Sequence, residues 1–119
     1  MHSEYIELEE KVAEKLNKYK SEWKNIIAVG TTSIRVLESF SDDFWILKAW
    51  KKETEIFIYP WYNWKFVDWI ITNFHLPKST LLMLVSSFSW RELILKAYSY
   101  AIKNNFRFFS FWDAMWLKK

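Results

Sequence analysis

Asn73, His75, Lys78, Ser79 and Thr80 crowd one short stretch of the chain. They offer an amide, an imidazole, an ammonium and two hydroxyls between a strand-like run and a helix-like run. Loops at such junctions carry many binding and catalytic groups. An imidazole titrates near neutral pH and can act as acid or base, and it can equally be a structural group. Lys78 suits a phosphate and suits plain solvation. A second cluster is Gly30-Thr31-Thr32-Ser33, which follows an apolar run and opens a helix. Backbone N–H groups at such a point hold a phosphate or carboxylate. The same four residues also read as an ordinary βα turn with Thr32 or Ser33 as N-cap. The acids Glu4, Glu38, Asp68 and Asp113 show no paired spacing that announces a hydrolase. His2 and His75 are too few and too far apart to suggest zinc, so no metal is expected. Arg35, Arg91 and Arg107 stand beside helix starts or a strand end, where either phosphate or water would satisfy them. Tyr59, Tyr62, Phe106, Phe108 and Phe109 have faces on which bases could stack, but at period two within strands they read first as core.

The elements that must position these groups alternate between strand and helix, so the expected fold class is α/β. Residues 7–22 are charged, with Val12, Leu16 and Tyr19 at helical spacing. Residues 25–29 form a short apolar run of buried-strand type, followed by the glycine turn and a helix through Ser39. Residues 40–52 read as a polar loop. Residues 55–59 read as a second buried strand stopped by Pro60, and residues 66–74 hold a third. After the polar loop an apolar helix runs from Ser79 to about Phe88. Ser89 and Glu92 have capping-box spacing for a helix from Trp90 to about Asn104. Asn104-Asn105 suits its end, since Asn tolerates the left-handed conformation. Residues 106–111 read as the last strand.

Length and composition bound the rest. One hundred and nineteen residues make one domain, and 51% hydrophobic content makes disorder a poor description. The absence of cysteine removes disulfides and thiolate chemistry and fits a reducing compartment. The net charge of +3 permits a nucleic-acid partner without demanding one. The longest uncharged stretch, residues 79–90, is shorter than the roughly 20 residues of a bilayer span, and no secretion signal opens the chain. The expected location is the cytoplasm, with no membrane partner.

The ordered motifs resemble those of one family. They are Met1-His2-Ser3-Glu4-Tyr5, Ile27-Ala28-Val29-Gly30-Thr31-Thr32-Ser33, Ile56-Phe57-Ile58-Tyr59-Pro60, the block from Ile71 through Asn73-Phe74-His75-Leu76-Pro77-Lys78-Ser79-Thr80 to Ser86, and Arg107-Phe108-Phe109-Ser110 with Asp113-Ala114-Met115. Together they are similar to the C-terminal part of the S-adenosylmethionine:tRNA ribosyltransferase-isomerases of queuosine biosynthesis. The resemblance covers nearly all of residues 1–119. It implies the C-terminal part of a larger α/β domain, with the rest of that domain and an inserted β-barrel domain lying elsewhere in the whole protein, a monomer. It also implies a transferase and isomerase of tRNA modification. The ribosyl group of S-adenosylmethionine would pass to 7-aminomethyl-7-deazaguanine (preQ1) at the tRNA wobble position and rearrange to the epoxycyclopentanediol of epoxyqueuosine, with adenine and methionine as the leaving groups. S-adenosylmethionine is then a ribosyl-donor substrate, preQ1-bearing tRNA the partner, and the 119 residues alone are expected to be inactive. That chemistry needs a base, an acid and cations for phosphates. The motif residues able to titrate are His75, Asp113 and Glu4. The candidate binding residues are Gly30, Thr31, Thr32, Ser33, Asn73, Lys78, Ser79, Arg91 and Arg107. A non-catalytic RNA-binding α/β module is the alternative, and a Lys/Trp-rich domain lying on membrane surfaces is a third.

Two counts stand apart: one glycine and nine tryptophans. Average usage of about 7% would give roughly eight glycines. Trp23, Trp50, Trp61, Trp69, Trp90 and Trp112 stand where the resembled family usually has glycine. Glycine serves positive φ or close backbone approach, which an indole cannot. A decoding difference accounts for six such replacements better than drift does, because UGA is read as glycine in some bacterial lineages and as tryptophan in a common alternative table. Restoring the six would bring the glycine count to seven. Trp45 is a possible seventh case, while Trp64 and Trp116 fit as genuine aromatics.

Overall fold

A computed structural model describes residues 3–56, 58–59, 61–74, 80–107 and 113–118. Among the described residues five strands and four helices follow one another as β1 (Glu4–Leu8), α1 (Glu10–Ser21), β2 (Ile27–Val29), α2 (Thr31–Phe40), β3 (Trp50–Thr54), β4 (Trp69–Asn73), α3 (Thr80–Phe88), α4 (Arg91–Lys103) and β5 (Ala114–Lys118). The class is α/β, as the alternation predicts.

Two sheets form. β1 and β3 make an antiparallel ribbon in which Glu7 faces Lys51 and Ile6 faces Lys52. β2, β4 and β5 make a three-stranded sheet in that order. β2 runs parallel to β4, with Val29 beside Ile71, and β5 runs antiparallel to β4, with Asn73 beside Ala114. Side chains alternate across this sheet. Ala28, Ile70, Thr72, Met115 and Leu117 are buried on one face. They join a core that also holds Ile34, Phe66, Val67, Leu84, Val85 and Ile94, each with no exposed surface.

Several sequence expectations shift. The N-terminal helix begins at Glu10, and residues 4–8 form β1 instead. Exposed Tyr5 and Glu7 alternate with buried Ile6 and Leu8 at period two, so Glu7 and Leu8 belong to this strand and not to the helix expected over residues 7–22. The described residues of 55–59 form no strand; β3 comes just before them, and its first three residues fall in the supposed polar loop. Ile56, Ile58 and Tyr59 are irregular, and Ile58 is fully buried without a strand. The last strand is β5, while Phe106 and Arg107 are irregular and residues 108–111 lie outside the described residues. Helix α4 does begin near Trp90, but Trp90 itself is the N-cap and makes no side-chain cap bond. The Ser89–Glu92 capping box is therefore not formed: Ser89 is buried and its N–H donates to the Val85 carbonyl.

Candidate functional site

Because β2 and β4 are parallel neighbours, their carboxyl ends share one edge of the sheet. Gly30 leaves the end of β2 and its N–H donates to the Ile71 carbonyl at 2.8 Å. Its φ of 86° is a left-handed value, and nothing lies within 4 Å of where a Cβ would stand. Conformation, and not space, is what requires glycine here. Helix α2 starts directly at Thr31, with Thr32 and Ser33 exposed and no side-chain cap bond. The first-turn N–H groups of a helix have no intrahelical partner, and the helix dipole adds partial positive charge there. Thr32 and Ser33 thus do not act as N-caps; Gly30 occupies that position.

Asn73 closes β4 at the same edge, half-buried, beside Ala114. Asp113 immediately precedes Ala114. Its carboxylate accepts the backbone N–H of Arg107, and the Arg107 guanidinium lies 3.3 Å away through Nε. The backbone donor first and the guanidinium second hold the Asp113 carboxyl below its ordinary range. Asp113 is therefore ionised at neutral pH and suits a base or an electrostatic role, not a general acid. Gly30-Thr31-Thr32-Ser33, Asn73, Asp113 and Arg107 converge on one edge, where α/β sheets bind ligands.

A depressed folded-state pKa contributes stability above the unfolded value, lost as pH falls through the folded value. The carboxyl carbon of Asp113, followed by NMR, should titrate below a reference aspartate. In Arg107→Ala the midpoint should rise only part of the way, because the backbone N–H remains. A wild-type midpoint at or above the reference would contradict this arrangement.

The other expected residues are placed differently. Glu4 sits on β1, and its Oε1 lies 3.2 Å from Nη1 of buried Arg35. Arg35 Nη2 also donates to the Thr54 carbonyl at 3.4 Å. That ion pair ties α2 to the ribbon, so the structure gives Glu4 a bracing contact. Arg91 is exposed at the start of α4, after α3 has carried the chain roughly 12 Å along its axis. His75, Lys78 and Ser79 lie outside the described residues. Among the described residues no group of three or more His, Asp or Glu side chains is arranged to hold a metal, and no helix is long and apolar enough to cross a membrane.

Sequence reading missed Glu38. Its side chain is 1% exposed. Oε1 accepts the N–H of Lys65 at 2.7 Å, and Oε2 accepts those of Phe66 and Val67 at 2.8 and 3.1 Å. Burial first, and the Glu38 carboxylate beside it second, push the Tyr62 hydroxyl pKa far up, so Tyr62 stays protonated and donates to Glu38. One turn before Glu38, Ile34 lies on the same buried stripe. An acid at i+4 from a core position was the available signal. Next along the chain, Asp68 accepts the Ile26 N–H at 2.8 Å and pairs with Lys20 at 3.0 Å. Glu38 and Asp68 together pin the irregular segment that leads into β4, and hence the position of Asn73.

Comparison with known proteins bears on what this edge does. The family described as queuosine biosynthesis protein matches residues 1–117. The S-adenosylmethionine:tRNA ribosyltransferase-isomerase of Carboxydothermus hydrogenoformans is 56% identical over 97% of this chain and 34% of its own length. That of Fusobacterium nucleatum is 56% identical over 98% of this chain and 33% of its own. The crystal structure of S-adenosylmethionine tRNA ribosyltransferase from Thermotoga maritima superposes with a TM-score of 0.84 at 39% identity, covering 94% of this chain and 39% of that one. The chain thus spans about a third of the length of the curated relatives it matches. A match over residues 1–117 takes in every described element, short only of the last residue of β5, and the chain belongs to the queuosine biosynthesis protein family.

Proposed function

We propose that this chain is the C-terminal part of the α/β domain of an S-adenosylmethionine:tRNA ribosyltransferase-isomerase acting on preQ1 in tRNA. An inserted β-barrel domain and the rest of the α/β domain complete the enzyme, which works as a monomer in the cytoplasm. The observation that carries the reading is 56% identity to so-named relatives over 97% of the chain. Supporting it is the gathering of an anion-suited helix start, an amide and an ionised carboxylate at one sheet edge. In this reading the N–H groups of residues 31–33 receive the methionine carboxylate of the ribosyl donor. Asn73 orients substrate by hydrogen bonding. Asp113, held ionised by Arg107, balances cationic character at the sulfonium. His75 removes the proton, and Lys78 with Ser79 meets tRNA phosphate. No metal takes part.

The test is mass spectrometry of digested preQ1-tRNA after incubation with the whole polypeptide and S-adenosylmethionine. Epoxyqueuosine is the expected product, and the 119 residues alone should give none. Methyl transfer without ribosyl addition would overturn the reading. Binding of tRNA by the whole protein with no turnover would favour the RNA-binding module. In the whole enzyme His75→Ala should lower turnover more than tenfold, a barrier change above about 1.4 kcal/mol. Lys78→Ala should weaken tRNA binding and reduce its salt slope by about 1. Wild-type kinetics in both variants would move the site away from residues 73–79.

A further inference from the structure

The groups at the sheet edge ride on two separately paired parts of the sheet. Asn73 ends β4 and Asp113 leads into β5, and those two strands pair at five positions. The N–H groups that open α2 ride on β2, which pairs with β4 at three positions. Apolar patterning fixes the shorter pair weakly. Ile26 and Ala28 of one strand segment and Ile70 and Thr72 of the other are all buried. A slip of two residues would set Ala28 beside Thr72 and keep every side chain on its own face. It would also carry the Gly30 turn about 6.6 Å past Asn73, at roughly 3.3 Å per residue. Asp68 opposes that slip. Its Oδ2 accepts the Ile26 N–H at 2.8 Å, while the Ile26 carbonyl accepts the N–H groups of Asp68 and Trp69 at 2.9 and 3.0 Å. Both halves of this clasp close in one register alone. Oδ1 meets Lys20 Nζ at 3.0 Å, and Lys20 also donates to the Phe66 carbonyl at 2.9 Å, so the last turn of α1 holds the carboxylate in place.

We infer that Asp68 is a positioning residue for S-adenosylmethionine: its carboxylate locks the register of β2 against β4 and so sets the span between the N–H groups of residues 31–33 and Asn73. This role rests on the reaction proposed above. Asp68 stands at the start of β4 and the substrate groups at its end, so it acts through the strands and touches no substrate. The far end of the pair is held by the Gly30 N–H on the Ile71 carbonyl at 2.8 Å, a backbone bond that forms only when the register is right. A donor whose carboxylate is held on one strand's turn and whose remainder is held on the other's last residue reads any change in that span as weaker binding. The contact to tRNA phosphate does not pass through this span.

Kinetics of the whole enzyme test it. Asp68→Ala should raise KM for S-adenosylmethionine by about tenfold or more and leave the affinity for tRNA within about twofold, whereas a loss of folded protein alone would lower the apparent kcat at unchanged KM. Asp68→Asn keeps an oxygen for the Ile26 N–H and loses only the charge toward Lys20, so its KM should stay within about threefold of wild type. Asp68→Glu keeps the charge but sets the carboxylate one methylene further out. It should raise KM as the alanine variant does, and it carries the test if that variant does not fold. KM within about twofold of wild type in the folded Ala or Glu variant would overturn the role. Amide exchange in the whole polypeptide reads the register without turnover, so it separates failure of this role from failure of the proposed reaction. In the folded Ala or Glu variant the Gly30 N–H should exchange about tenfold faster or more, while the Ile94 N–H, bonded to the Trp90 carbonyl in α4, should keep its wild-type rate. Equal acceleration of both amides, or of neither, would overturn the register lock.

Discussion

Glu38→Ala should lower unfolding stability by about 3–5 kcal/mol. The reason is asymmetric. A carboxylate buried to 1% exposure is tolerable because three backbone N–H groups and the Tyr62 hydroxyl solvate it. Removing it strands donors that water cannot reach, at about 1–3 kcal/mol for each group left unpaired. Breaking buried charged networks from one side typically costs about 3–5 kcal/mol in total. Against a domain stability of about 5–15 kcal/mol that is a large share. Glu38→Gln retains the volume but turns an NH2 toward a backbone donor, so it should lose most of the same stability. Exposed Glu14→Gln on α1 should change stability by less than about 0.5 kcal/mol. Chemical denaturation of the three variants decides the matter. A Glu38→Gln loss under 1 kcal/mol would mean that residues 65–67 are held by something else. The consequence reaches the functional edge, because those residues lead directly into β4 and Asn73.

This dependence also explains what the sequence made legible and what it hid. Elements with strong local signals came through: the β2–glycine–α2 unit, β4, α3 and α4. Their apolar periods are long, or their turn residue is distinctive. β1 and β3 escaped because they form a ribbon whose charged faces, with Glu7 opposite Lys51, resemble helix or loop until the partner strand is known. β5 escaped because Ala114 and Lys118 dilute a five-residue alternation. At the site, the Gly30 turn, Asn73 and Asp113 were each legible by residue type. That they share one edge was not, since it depends on β2 and β5 both pairing with β4. The role of Glu38 was hidden for the same reason: its backbone donors lie 27 to 29 residues away in sequence. The ion pair of Glu4 with Arg35 likewise joins residues that no spacing rule connects.

Replacing Trp23 and Trp45 by glycine should stabilise the chain by about 2–4 kcal/mol, less the part that added freedom of the unfolded backbone takes back. Both residues have left-handed backbones, with φ of 63° and 64°, and both occupy places that favour glycine. Helix α1 ends in a Schellman motif. The Lys24 N–H donates to the Tyr19 carbonyl and the Trp23 N–H to the Lys20 carbonyl, which puts Trp23 at the position where glycine is the usual residue. Trp45 follows a turn from Asp42. Its N–H donates to the Asp42 carbonyl, and the Asp42 side chain accepts from Phe44 and Ile46. A left-handed residue in that place closes the short hairpin bridged by Ser41 and Leu47, and glycine is again the common choice. Neither indole gains burial in return, with Trp23 89% exposed and Trp45 54%. Trp64 is the contrast: it is buried and packs edge-on against Tyr62 and Phe88, at centroid distances of 5.4 and 4.8 Å. Trp64→Gly should therefore destabilise, by about 3–5 kcal/mol for a large aromatic lost from a core. Thermal and denaturant midpoints of the three variants should move in these opposite directions. The gene offers the companion measurement. Codons 23 and 45 are expected to be TGA and codon 64 TGG, as a lineage that reads UGA as glycine would have them. TGG at both 23 and 45, together with unchanged midpoints for the glycine pair, would show that the tryptophans belong to the protein.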